Sequence, residues 1–370
     1  MKKTMLMFFV LVGLVVLLIF GSCTPAPAPT PAPEVIELTC SNFFPPTDLH
    51  SILPNEWIKE IEKRTNGRVK ITYYPGSSLV PADKTYDGVV TGICDIGLSC
   101  FAYTMGRFPV DTLLCLPHSY PYGWVATKVV NDFHKRFKLA EIEDVHVLYL
   151  HASSPQALFT TNKPVRKLED LEGLVIRGTG AAAKILQALG AQGYGAPMSD
   201  VYELLAKGVV DGSFSGIGVL EGWRQAEVVK YVTQTYAVGS TTVFFTVINK
   251  DRWDSLPKDI QTIFTEVSEE WPEKHGMAWD YQDAVALDYF FSFEGREFIK
   301  LPPDEMARWV AAVKPVIDEQ VAELEGKGLS GAEFEQYLNE RVKYWSERAP
   351  AVEKSVDWVE ANLKPLMPTE

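Results

Sequence analysis

Strand-like and helix-like apolar patterns alternate along the chain from residue 35, and this alternation restricts the fold more than any other feature. Residues 35–40 alternate as an opening strand, and residues 51–65 set Ile52, Leu53, Trp57, Ile58 and Ile61 on one helical face before Asn66-Gly67 stops them. Residues 68–74 alternate again until Pro75-Gly76, residues 84–91 read as a helix ended by Gly92, and residues 95–99 as a buried strand. The pattern recurs as a helix over 125–137, strands over 145–150 and 174–176, and a helix over 181–189. Strands separated by helices imply a mostly parallel sheet covered on both faces, so the expected fold class is α/β. A chain of 370 residues with 46% hydrophobic content can fill one large or two medium cores, which makes two lobes the expectation. The β-branched and aromatic run over 241–248 reads as a strand returning to the first lobe. Beyond Asp251 helices are expected over 257–271, 273–290, 304–327 and 332–363, each with an apolar stripe and a charged, solvated face.

Within this frame, Leu171-Glu-Gly-Leu-Val-Ile-Arg177-Gly-Thr-Gly180 is the stretch with the clearest chemistry. A short strand ends in a guanidinium, two glycines follow, and helix formers lie directly behind. An arginine placed there sits at the carboxyl edge of a sheet beside a helix amino terminus. Both features favour an anion, because guanidinium is a planar fork of donors and the first helical turn leaves N–H groups unpaired. The competing reading is an ion pair with a neighbouring carboxylate.

The amino terminus speaks to location. Lys2 and Lys3 precede an unbroken apolar run to Phe20, closed by Gly21-Ser22-Cys23. This resembles a bacterial lipoprotein signal, with residues 1–22 removed and Cys23 lipidated; an uncleaved anchor is the alternative. Residues 23–33 alternate proline with alanine or threonine, a semi-rigid stalk that lifts a domain off a membrane. The formal charge of −13 and the lack of a basic cluster deny the chain the electrostatic footprint of a nucleic-acid binder.

Four further cysteines, Cys40, Cys94, Cys100 and Cys115, allow up to two disulfides in an oxidising compartment, but three lie in apolar, strand-like surroundings where a thiol behaves as a small hydrophobe. Their spacing is not that of a zinc site, and His50, His118, His134, His146, His151 and His275 are scattered. Gly178-Thr-Gly180-Ala-Ala-Ala183 fits a dinucleotide fingerprint with Asp200 as its acid, yet Arg177 occupies the strand end and the chain is expected outside the cytoplasm. Gly212-Ser-Phe-Ser-Gly216 places Phe214, not serine, at the centre of a nucleophile elbow. No cofactor and no catalytic residue is expected.

Trp57-Ile-Lys-Glu-Ile-Glu-Lys-Arg-Thr-Asn-Gly67, Tyr74-Pro-Gly-Ser-Ser-Leu79, Tyr103-Thr-Met-Gly-Arg-Phe-Pro109, the Leu171 to Arg177 stretch, Asp200-Val-Tyr-Glu-Leu-Leu-Ala-Lys-Gly208-Val-Val-Asp-Gly212 and Asn249-Lys-Asp-Arg-Trp253 occur in one consistent order. Together they resemble the solute receptors of TRAP-type (tripartite, ATP-independent) transporters, over about residues 35 to 260. The resemblance implies a clamshell of the periplasmic-binding-protein kind: two lobes with mixed sheets and helices on both faces, a helical carboxyl-terminal region, and a small organic acid clamped by the strand-end arginine, Arg177. Residues 34–154 with about 240–285 would form lobe I, and 155–239 with about 286–370 lobe II. The partner implied is a membrane permease, and long terminal helices allow either a monomer or a helix-swapped dimer. A binding lipoprotein of an ATP-driven importer shares this architecture, and an extracytoplasmic hydrolase or isomerase is the reading from a different class.

The site expected in the second lobe comprises Arg177, Thr179, Phe214, Ser215 and Gly216, with Gln156, Ala157 and Met198. In the first lobe the loop after residue 42 and the segment from Ser99 to Tyr103 fall at strand carboxyl ends, where open α/β sheets hold ligands. They supply Asn42, Phe44, His50, Ser99, Cys100 and Tyr103, and the returning strand supplies Phe244. Packing explains each of these as well, and His50 also reads as a helix-start residue. Tyr120-Pro-Tyr122-Gly-Trp124 either lines the cleft mouth or packs on the next helix. Two departures from sialic-acid-type receptors matter: Ala157 stands where they carry a second arginine, and Ser213-Phe-Ser215-Gly216 replaces an asparagine. A smaller or more aromatic acid is expected in place of a sugar acid.

Overall fold

A computed structural model describes residues 35–104 and 106–367, and its strands fall into two sheets. The signal segment, Cys23 and the stalk lie outside the described residues. In chain order the strands are β1 (Ile36–Asn42), β2 (Val69–Tyr74), β3 (Ile96–Cys100), β4 (Val145–Ala152), β5 (Ala157–Thr160), β6 (Val175–Arg177), β7 (Gln192–Tyr194), β8 (Gly212–Ser215), β9 (Tyr231–Gln234), β10 (Val243–Asn249) and β11 (Glu297–Lys300). The first sheet runs β2-β1-β3-β10-β4 and the second β11-β9-β5-β8-β6-β7. Strand β1 is parallel to β2 and β3, whereas β10 is antiparallel to both its neighbours, so the sheet is mixed. Burial explains the patterns: β2 alternates Val69 in, Lys70 out, Ile71 in, because one face is wet, while central β10 is apolar on both faces.

The chain passes from the first sheet to the second at residues 153–156 and returns at 235–242. These two crossings are laced together: Gln156 N donates to Ser240 O at 2.9 Å, Ser240 Oγ to Gln156 Oε1 at 2.6 Å, and Thr241 Oγ1 to Ser153 O. Gly239 permits this approach, since a Cβ there would lie 2.4 Å from Gln156 O. The third link is the helix Lys258–Phe291, which was expected as two helices parted at Pro272. Proline forfeits one backbone hydrogen bond, and burial of Trp271, His275, Ala278 and Trp279 around it keeps the helix continuous.

Conversely, the helix expected over 332–363 is two, Gly331–Ser346 and Val352–Asn362, because Pro350 disfavours a helical conformation at Ala349. The tail also departs from its expected place wholly with the second lobe. Phe334 packs on Phe133 and Phe137 with ring centroids 5.4 and 4.8 Å away, and Arg341 and Trp345 bond to Asp132, all on the first-lobe helix Gly123–Arg136 or its carboxyl-terminal cap Phe137. Periodicity reveals an apolar stripe but not the surface it will cover. Cys40, Cys94, Cys100 and Cys115 are all free and buried. Among the described residues no helix is long and apolar enough to cross a membrane.

Candidate ligand-binding cleft

Arg177 closes β6, opposite Ser213 on β8 and Tyr194 on β7, and is 3% exposed. Its Nε and Nη2 donate to Ala196 O at 2.9 and 2.7 Å, and Nη1 reaches Ser215 Oγ at 3.4 Å. Among the described residues no carboxylate lies within ion-pair distance of it, so the ion-pair reading of this arginine has no partner. A guanidinium buried without a counter-charge is costly unless an anion is supplied. Behind it Gly180 adopts φ +54° to start the helix Ala181–Ala188, and a Cβ there would sit 3.0 Å from Ala102 Cβ of the facing lobe.

The facing wall is aromatic. Asn42 Oδ1 accepts from Phe44 N at 3.1 Å, while its Nδ2 bonds inward to His50 O, Ser51 Oγ and Tyr73 OH, and this fixes the loop that presents Phe43 and Phe44. Phe244 is delivered by register, opposite Cys100 on β3 and His151 on β4. Trp279 comes from the long helix, and Tyr103 OH accepts from Met198 N at 2.9 Å, tying the lobes together across the gap. Together with Trp223 these groups bound a narrow cleft with about 50 Å³ of free space. Burial pushes the Cys100 thiol up to about 12 against the opposing pull of the Arg177 charge, so this cysteine is a neutral wall group and not a thiolate nucleophile.

Of the residues expected at a site, the structure places Arg177, Thr179, Ser215, Gly216, Gln156, Met198, Phe44, Cys100, Tyr103 and Phe244 around this cleft. Five others lie elsewhere. Ser213 and Ser215 share the strand face that meets Arg177, their Oγ atoms 3.0 Å apart, so the period of two turns Phe214 away into the core. Ala157 is fully buried in the second-lobe core with Phe159 and Val232. Ser99 Oγ is spent on Ala82 O at 2.8 Å, Asn42 braces its loop from behind, and His50 lies one layer deeper. Tyr120 donates to Leu114 O and Trp124 packs on Trp345, so that aromatic stretch serves packing. The sequence reading missed Phe43, Ser153, Val219, Trp223, Thr242 and Trp279. Phe43 adjoins Phe44 and was within reach; Trp223 and Trp279 carry no local signal, since each lies in a helical stretch that only the tertiary fold brings to the cleft.

The histidines called scattered are not all so. His50, His151 and His275 meet behind the aromatic wall, each fully buried. The Nδ1 atoms of His50 and His275 are 2.8 Å apart with centroids 5.1 Å apart and planes within 9°, an edge-to-edge pair sharing one proton. Above it Trp279 Nε1 donates to His151 Nδ1 at 3.0 Å; His151 stacks on His275 at 4.0 Å, and Trp279 on His50 at 3.7 Å. Burial pushes His50 down to about 3, and burial with neighbouring imidazoles holds His151 well below the usual range. Each can place one ring nitrogen within 4.8 Å of the others, the spacing of a metal centre. The hydrogen bonds do not fit one. One Nδ1–H of the His50–His275 pair donates into the other ring's Nδ1 lone pair, His151 accepts at Nδ1 and so carries its proton at Nε2, and stacked ring planes do not converge on one ion. The trio is a neutral foundation for Trp279.

Two sheets joined by laced crossings, with a buried unpaired guanidinium on one side of a cleft and rings on the other, define a two-lobe solute-binding protein. A family model described as DctP, bacterial extracellular solute-binding protein family 7, matches residues 42–324, and the chain belongs to that family, as a TRAP-type periplasmic receptor. A crystal structure of a TRAP periplasmic solute-binding protein from Desulfovibrio salexigens, an open complex, is 32% identical, covers 86% of this chain and 99% of that one, and superposes with a TM-score of 0.73. Another from Bordetella bronchiseptica, with bound (R)- and (S)-mandelate, is 28% identical, covers 84% and 99%, and has a TM-score of 0.78. A solute-binding protein of Albidiferax ferrireducens is 26% identical over 270 residues, 71% of this chain and 78% of that protein.

Proposed function

We propose that this receptor captures a small organic acid by its carboxylate on Arg177, closes its lobes over it, and presents it to the membrane permease of a TRAP-type transporter. The observation that carries the reading is the buried guanidinium with no carboxylate partner among the described residues, its contacts to Ala196 O, Ser215 Oγ and the Tyr103 hydroxyl all being to neutral groups. A ligand carboxylate supplies the missing charge, and the adjacent Ser215 and Thr179 hydroxyls can donate to it. The mandelate complex of the Bordetella relative agrees with an acid as ligand. Closure is hinge motion at the two crossings and the long helix, with the Tyr103 to Met198 bond and the Ala102 to Gly180 contact made across the cleft.

The site binds without chemistry: Ser215 Oγ is engaged by Ser213, and Cys100 is a neutral thiol. Cys23 carries the lipid, and the stalk that follows it holds the lobes off the membrane. Calorimetry of the purified protein against a library of organic acids tests the reading. Saturable binding of at least one acid, lost in Arg177→Ala with the melting temperature retained, is expected. Unchanged affinity in that variant removes Arg177 from the site, and conversion of an acid to product makes the protein an enzyme. In cells, Cys23→Ser is expected to move the protein from the membrane fraction to the soluble one.

A further inference from the structure

We infer that the acid is an aromatic monocarboxylate, and that Trp223 is the residue by which the second lobe selects its ring. The inference rests on the carboxylate reading above and adds the rest of the ligand to it.

Charge fixes the number of carboxylates. Among the described residues Arg177 is the only charged side chain lining the cleft. A second carboxylate would be buried against Phe43, Phe44, Phe244 and Trp279 with no cation to meet it, a desolvation cost without a return. A polyhydroxylated acid is disfavoured in weaker form, because the polar groups at the crossings are engaged with one another, Gln156 Nε2 donating to Thr242 Oγ1 at 3.1 Å and Ser153 Oγ accepting from Thr242 N at 3.1 Å, and the remaining wall is rings.

Ring geometry fixes the body. From the buried histidines outward, His151 and Phe244 lie within 10° of parallel at 4.9 Å, Phe244 and Phe43 within 11° at 6.2 Å, and Phe43 and Trp223 within 20° at 6.1 Å. Successive planes therefore face one way across the gap between lobes, and a flat ring that enters in the same orientation when Trp223 moves back with the second lobe stacks between Trp223 and Phe43. A puckered saturated ring is thicker and gains less. Phe43, Phe44, Leu98, Cys100, Phe244 and Trp279 form an apolar cluster separate from each lobe's own core, and Trp223 and Met198 pack against it from the second lobe. Among the described residues Trp223 is the only ring lining the cleft on that side. It follows the helix Val219–Gly222, half-buried, so it travels with the second lobe as the cleft closes.

The test is calorimetry of the intact protein with benzoate, phenylacetate, cyclohexanecarboxylate, hexanoate, succinate and gluconate, on the native chain and on Trp223→Ala, Trp223→Phe and Arg177→Ala. The aromatic acids are expected to bind at least tenfold tighter than cyclohexanecarboxylate and hexanoate, with succinate and gluconate undetected. Trp223→Ala is expected to lose tenfold or more for aromatic acids and under threefold for hexanoate, and Trp223→Phe to recover most of the loss. Aliphatic acids or succinate binding as tightly as benzoate, with Arg177→Ala abolishing them, overturns this inference and leaves the acid receptor standing. No binding of any acid overturns both. Should the alanine variant fail to fold, the ranking of acids on the native chain and the phenylalanine variant still decide.

Discussion

The two walls of the cleft are built on opposite principles. The first-lobe wall is finished before any ligand arrives: Phe43 and Phe44 are held by Asn42, Phe244 by strand register, and Trp279 by its bond to His151 over the histidine pair. The second-lobe wall is unfinished, with a buried guanidinium whose carbonyl and hydroxyl contacts leave its charge unanswered. The difference teaches how a clamshell divides recognition. A rigid apolar wall sets shape and costs no reorganisation, while the charge-deficient wall makes closure worthwhile only with an anion inside.

Removing the charge breaks the comparison most severely. Arg177→Ala is expected to weaken acid binding by about 2–5 kcal/mol, the usual cost of truncating one partner of a buried charge pair, which is on the order of 30-fold to 5,000-fold. Arg177→Lys is expected to recover little, because one ammonium cannot both hold Ala196 O and grip a carboxylate bidentately. Calorimetry with the best acid found checks both, and parity between Arg177→Lys and the native protein would mean that charge alone, without the fork, finishes the second wall.

The first wall is attacked from behind. Trp279→Leu removes a 6%-exposed indole and leaves His151 Nδ1 without its donor, so a loss of about 3 kcal/mol of stability is expected from the cavity and the orphaned acceptor. Thermal melts with and without ligand measure it. A destabilisation under about 1 kcal/mol would show that the wall is not rigidly founded.

Acid sharpens the same contrast. His50 stays neutral in the folded state until pH falls to about 3, whereas in the unfolded chain it takes up its second proton below about 6.5. Its contribution is therefore complete above pH 6.5 and is lost on acidification between 6.5 and 3, at up to about 1.4 kcal/mol per pH unit, or about 2 kcal/mol at pH 5. Asp48, Asp280 and Glu141 oppose it. Burial raises each to about 7, so folding favours their protonated forms and their contribution fades as pH rises from the ordinary carboxyl range toward 7. Net melting curves mix the two signs, so the direct measurement is imidazole proton NMR. His50, His151 and His275 are expected not to titrate between pH 7.5 and 5. A midpoint near 6.5 at any of them would mean that the aromatic wall stands on an open, hydrated base.

How much of this the residues announced depended on whether the signal was local. Arg177, Thr179, Ser215 and Gly216 were legible because a strand end, a glycine turn and a helix start are written within a few neighbouring positions. Phe214 was misplaced by the same nearness, since a strand sends adjacent side chains to opposite faces. Periodicity splits the long helix at Pro272 because it shows the proline and not the packing that tolerates it. The three histidines lie on a loop-to-helix start, on β4 and on the long helix, and only the tertiary fold stacks them. Trp279 and Trp223 were missed for that reason.

The smallest expected effect bears on the seam between the walls. Tyr103 belongs to the aromatic side, yet its hydroxyl accepts from Met198 N at 2.9 Å and so is the point where the finished wall bonds to the unfinished one. Tyr103→Phe keeps the ring and its edge-on contact with Phe43, 5.7 Å between centroids, and deletes the hydroxyl that accepts from Met198 N and also meets Arg177, the group common to every acid. Closure then leaves one backbone N–H without its protein partner, at about 1 kcal/mol, so acid affinity is expected to fall about fivefold with no change in the preference among acids. Because a bond made on closing is lost on opening, the drop belongs in the dissociation rate, and stopped-flow release separates it from a change in encounter. A shift in preference between acids would instead place the hydroxyl on the ligand itself, and the division between a shape wall and a charge wall would no longer hold at this residue.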